Sequence, residues 1–179
     1  MSFSDVFTSK DSIQLDKKTL VILRWLAFIG QFFTISFVNF ILNLEIYFFY
    51  CSLIIFFGAL TNFYLQFNVK VNQLNSFTST IFLFYDTLQL SLLLCLTGGI
   101  TNPFVIFLII PAIVASTFLK LNNTINLSII TIVLIIVLTI DHFPLPHSGE
   151  LHFHVPSYYL YAIPISIIIG LIFLTFFGA

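Results

Sequence analysis

LCLTGGITNPF, residues 94–104, breaks a chain otherwise dominated by Phe, Leu and Ile with two glycines, two threonines, an asparagine and a proline, and carries no charge. Gly-Gly and Asn-Pro are strong local punctuation. The stretches on either side are long and apolar, so this cluster reads as a tight turn between two helices rather than as a surface loop. What surrounds it decides the fold.

The 179 residues are 59% hydrophobic and 7% charged, with mean hydropathy +1.10. Soluble domains carry roughly 25% charged residues, so the composition is that of a membrane protein. Aromatics reach 18%, with 24 Phe, a load that lipid and helix interfaces accept and a water-facing surface does not. A net charge of -1 leaves no footprint for direct nucleic-acid binding. Cys51 and Cys95 sit far apart inside apolar runs without metal or redox spacing and read as small buried hydrophobes.

About 20 apolar residues cross a ~30 Å hydrocarbon layer as a helix. Six stretches qualify, at 20–42, 45–65, 77–97, 104–119, 124–140 and 158–177, the fourth being short. Open sheet edges in lipid would leave backbone groups unpaired, so the expected fold is an all-α, six-transmembrane-helix bundle. Residues 1–19 are polar, lack the apolar core of a cleavable signal peptide, and read as a cytoplasmic N-terminal arm. Lys10, Lys17, Lys18, Arg24, Lys70 and Lys120 all fall on one side of this map. The positive-inside rule then puts both termini in the cytoplasm and the 98–103 turn on the outer side.

Within the turn, Gly98 and Gly99 are suited to positive φ, Asn102 to an N-cap and Pro103 to the first helical position. A helix start of this kind is expected to leave amide donors open beneath the outer interface, with the flat ring of Phe104 beside them. An ordinary helix–helix turn is the plainer alternative.

LTGGITNPF also matches the GGxxNPF signature of the membrane sensor domain of RegB/PrrB redox-responsive histidine kinases. LFYDTLQLSLLLCLTGGITNPF (83–104) resembles that family's third span and turn, LRWLAFIGQ (23–31) its first-span opening, and HFPLPHSGELHFHVPSYYLY (142–161) its last outer loop. The resemblance implies a quinone-sensing input domain in a bacterial inner membrane. Ubiquinone would bind at Gly98, Gly99, Asn102, Pro103 and Phe104. A homodimeric kinase core, using ATP and a cytoplasmic response regulator, would follow. No phosphoacceptor or ATP-binding motif occurs in these residues, so the chain reads as a truncated sensor without catalytic residues, and neither cysteine is equated with the family's redox-active one.

Asp86, mid-span, must be neutral or paired. Gln89 and Thr97 continue roughly its face toward the turn, giving a candidate relay Asp86–Gln89–Thr97. The plainer reading is a helix-to-helix pairing of Asp86 through Gln31 or Asn39. The four histidines, His142, His147, His152 and His154, share the last outer loop with Asp141 and Glu150 but match no strong metal motif, and read chiefly as a solvated loop. Tyr158, Tyr159 and Tyr161 suit the outer interface, and Trp25 with Arg24 the inner one. Pro111 and Pro164 are expected to kink their spans. A small transporter or channel, for which the spans offer little polar lining, and a membrane enzyme using the outer histidines are the rival classes.

Overall fold

Lipid provides no partner for a bare N–H or C=O, so an apolar chain of this length is driven into helices that satisfy their own backbones. The computed structural model describes residues 15–144 and 156–178. Among these, six α-helices form: α1 (Lys17–Phe40), α2 (Phe48–Asn68), α3 (Ser76–Cys95), α4 (Ile109–Phe118), α5 (Leu121–Ile140) and α6 (Tyr159–Phe177). Two 3-10 stretches, Gly99–Thr101 and Pro103–Leu108, join α3 to α4. Five of the α-helices are long and apolar enough to cross a membrane, and the apolar segment Pro103–Phe118 is shorter.

That shorter segment has a particular winding. Proline lacks an N–H, and in an α-helix its ring collides with the carbonyl four residues back. Pro103 opens the 3-10 stretch and Pro111 sits in the first turn of α4, where its ring would meet the carbonyl of Phe107. The kink expected at Pro111 therefore takes the form of a change from 3-10 to α winding. At ~2.0 Å per 3-10 residue and ~1.5 Å per α residue, the segment spans about 27 Å, nearly the thickness of a bilayer core.

The helix ends sort into two groups. One end of the bundle carries Lys17, Lys18, Lys70 and Lys120, and its core is the cluster of Leu15, Leu20, Leu65, Leu74, Leu119 and Leu127 with their neighbours. The other carries the glycine turn, over a core in which Ile100 and Leu108 are fully buried beside Leu94, Ile135, Ile167 and Leu171. Large side chains such as Phe33, Phe49 and Phe77 point outward, as a lipid-facing surface requires. Hydroxyls along the helices return to carbonyls four residues back, as Thr87 does to Leu83 and Thr131 to Leu127.

Several helix boundaries differ by a few residues from the sequence expectation, and two of the differences bear on the packing. The end of the polar arm belongs to the fold: the Leu74 amide donates to the Leu15 carbonyl at 3.0 Å and the Lys17 amide to that of Asn72 at 2.9 Å, burying both leucines. Helix α2 starts at Phe48 rather than 45, because residues 41–47 turn through Asn43 at φ 50°. Residues 1–14 and 145–155, with Lys10, Glu150, His147, His152 and His154, lie outside the described residues.

Gly58 sets the spacing of α1 and α2, since a Cβ there would lie 2.7 Å from the ring of Phe28. Gly58→Leu is expected to part these two helices and to cost ~1–3 kcal/mol, the usual range for overpacking. Unfolding of purified protein in mixed micelles checks this, and unchanged stability would contradict the packing.

Candidate functional site

Two polar constellations stand out in this apolar frame. The first is the turn. Helix α3 ends with Thr97, whose hydroxyl donates to the Leu93 carbonyl at 2.9 Å. Gly98 at φ 114° and Gly99 at φ 54° then reverse the chain through the left-handed region that glycine enters freely. Asn102 caps the following stretch: its Oδ1 accepts from the Phe104 amide at 2.9 Å, and its Nδ2 donates to the Thr97 carbonyl at 2.9 Å and hydroxyl at 2.8 Å. Positive φ at both glycines and the Asn102–Pro103 cap stand as the sequence indicated.

The open donors do not. Because the fourth segment begins with 3-10 winding, its early amides bond three residues back: Thr101 to Gly98, Asn102 to Gly99 and Val105 to Asn102, at 3.0–3.2 Å. Among the described residues the Gly98, Gly99 and Ile100 amides of this turn lack a well-formed acceptor, and all three residues are buried. Pro103 and Phe104 face outward, the Phe104 ring lying 5.7 Å from that of Phe107.

What covers Gly99 is His142. A Cβ on Gly99 would run into the Cβ, Cγ and Cδ2 of His142. The segment after α5 folds back over the turn, held by the Phe143 amide donating to the Cys95 carbonyl at 2.9 Å and by the Phe143 ring set edge-on to Tyr47. His142 is thus not part of a solvated loop, as the sequence reading had all four histidines. Its Nδ1 is buried with no hydrogen-bond partner among the described residues, a state that costs about 1–3 kcal/mol. Among the described residues no cluster of three metal-ligating side chains occurs.

The second constellation joins three helices. Arg24 of α1 is 3% exposed. Its Nε meets both carboxylate oxygens of Asp86 in α3 at 2.9 and 3.0 Å, and one terminal nitrogen donates to the Thr61 hydroxyl of α2 at 2.7 Å. Asn62, also of α2, accepts weakly from Arg24 at 3.5 Å and donates to the Val21 carbonyl at 3.1 Å. The rings of Phe28 and Phe82 pack 5.4 and 5.1 Å from the guanidinium carbon. Arg24 is therefore no interface anchor but the partner of Asp86, in place of the expected Gln31 or Asn39. Gln31 instead accepts from Gln89 at 2.9 Å.

The candidate relay is divided by these pairings. Thr97 is joined to Asn102 in the turn, whereas Asp86 and Gln89 each bond to α1, and no hydrogen bond among the described residues links the two groups. Two surface grooves also lie away from the turn. One of about 280 Å³ runs between α1 and α2 along Phe28, Phe32 and Ile55, and one of about 140 Å³ between α2 and α3 along Tyr85 and Gln89.

The chain is 30% identical over 158 residues to the sensor histidine kinase RegB of Cereibacter sphaeroides. The match covers 88% of the chain and 34% of that kinase, so the chain spans about a third of its relative's length. No protein-family model matches, and no solved structure does.

Removing one partner of a buried ion pair strands the other charge and costs ~3–5 kcal/mol, whereas replacing both with apolar groups is often neutral. Asp86→Leu is expected to destabilise the bundle by that amount, and Arg24→Met with Asp86→Leu to recover most of the loss. Unfolding in mixed micelles reads both, and equal stability of single and double variants would contradict the pairing.

Proposed function

We propose, from the premise that this chain is a multi-pass membrane region related to the sensor histidine kinase RegB, that it is the input domain of a redox-responsive two-component kinase and binds ubiquinone at the GGITNPF turn. The observation that carries the reading is the relationship itself, which runs through nearly the whole chain. The chemistry of the turn supports it. A quinone presents carbonyl acceptors on a planar ring with an isoprenoid tail. The turn offers the Gly98 and Gly99 amides as donors, the outward ring of Phe104 as an apolar face, and lipid alongside. Asn102 and Pro103 act by holding the glycines in place.

In this reading both ends of the chain are cytoplasmic, with 103–118 as the sixth crossing, and the turn lies near the outer surface of a bacterial inner membrane. A second copy of the chain and a response regulator are the partners, and the kinase core supplies ATP-dependent phosphorylation. The route from turn to kinase is α6. The Gly99–Thr101 stretch packs against α5 and α6, and Ile100 lies in one core with Ile167 and Leu171. A ligand shifts such an equilibrium only by its differential affinity for two packings, so a tenfold change in state needs ~1.4 kcal/mol.

Protein purified in nanodiscs is expected to retain or bind ubiquinone, and Asn102→Ala or Gly99→Leu to weaken that binding tenfold or more. Equilibrium binding with quantification of extracted quinone measures this. Wild-type affinity in both variants would remove the site from the turn.

A further inference from the structure

The side chain laid against Gly99 is one that the turn motif does not contain. His142 belongs to the segment leaving α5, whose last helical bond runs from the Asp141 amide to the Val137 carbonyl at 2.8 Å. From there the chain returns to the turn and lays the imidazole on Gly99, where only the absence of a side chain leaves room. Glycine is needed at this position twice over, for its backbone angle and for this contact.

The imidazole is seated by its carbon edge, and its Nδ1 is sealed from solvent without a partner among the described residues. The polar atoms around it are otherwise committed. Asn102 uses its amide nitrogen and oxygen within the turn, and the Thr97 and Thr101 hydroxyls return to backbone carbonyls. Around the turn the fold therefore gathers four hydrogen-bonding groups with unmet capacity: the amides of Gly98, Gly99 and Ile100 and one imidazole nitrogen.

We propose that His142 is a ligand-binding residue of this site: its ring is a removable cover on Gly99, and its Nδ1 hydrogen-bonds an oxygen of the quinone head group when that group enters against the glycines. This rests on the turn being the quinone site. A neutral imidazole carries one N–H donor and one bare acceptor nitrogen, and the two tautomers exchange these roles. Nδ1 can therefore donate to a quinone carbonyl or accept from a quinol hydroxyl, whereas backbone amides only donate. The residue thus serves both redox forms of the ligand, and no electron or proton needs to pass to the protein. The mounting of the cover suits displacement. It is held to the turn by the Phe143 amide bond to Cys95 and the Phe143–Tyr47 ring contact, while the floor is tied by several bonds within the turn itself.

The test uses the chain in nanodiscs with decylubiquinone as probe. His142→Ala is expected to raise the dissociation constant at least tenfold, and His142→Asn, whose amide nitrogen reaches the place of Nδ1, to recover part of the loss. In wild-type protein with ¹⁵N-labelled histidine, the His142 ring nitrogens, assigned by their loss in the Asn variant, are expected to shift when the probe is added. Wild-type affinity in His142→Ala and unmoved ring signals, while Asn102→Ala still binds weakly, would overturn the role of His142 and leave the turn as the site. Absence of probe binding to the wild-type protein would overturn both.

Discussion

Lipid contains no hydrogen-bond partner, and the arrangement of this protein follows from that constraint. A polar group that in water could be left to solvent must here find a partner within the chain. The guanidinium of Arg24 and the carboxylate of Asp86 answer it across α1 and α3, with Thr61 and Asn62 of α2 completing the shell. Gln31 and Gln89 answer it further along the same two helices. The glycine turn answers it through the side chain of Asn102 and the short 3-10 winding. Among the described residues the constraint goes unmet at the scattered hydroxyls of Ser52, Ser79 and Ser91, and in one group at the turn, where Nδ1 of His142 lies by the open amides of Gly98, Gly99 and Ile100.

How much of this was legible before the coordinates depends on the range of the forces involved. The long spans were visible because twenty apolar residues in a row have few other uses, and the turn because glycine and Asn-Pro act on their own backbone. Arg24 and Asp86 were a different case. They are the two opposite charges lying within the apolar runs beyond the first turn, a signal that sequence alone holds, yet their meeting depends on the rotation and depth of helices 62 residues apart. Arg24 beside Trp25 has the composition of an interface anchor, but it lies two turns inside α1. His142 was harder still, since nothing in HFPLPH marks a return to Gly99. The burial of Leu15 against Leu74 rests on pairing between remote backbone segments and had no local sign either.

The two constellations occupy different levels of the bundle and have different characters. The arginine knot is sealed by packed aromatic rings and a near-complete set of bonds, which suits a fixed fastening of α1 and α2 onto α3. The turn is tightly bonded below and lightly covered above, and its buried Ile100 bears on the helix that leads to the end of the chain. A sealed fastening and a lightly tied contact thus lie in the same small bundle.

The winding of residues 103–118 has one more consequence. Had the whole segment been α-helical it would measure about 24 Å, some 3 Å less than it does with its 3-10 stretch. Its reach is therefore set by pitch and not by residue number, and rewinding would draw Pro103 inward while rotating it about the axis by roughly 120°. Pro111 resists that rewinding, because a continuous α-helix would drive its ring into the Phe107 carbonyl. The length of the segment is thus written into its prolines.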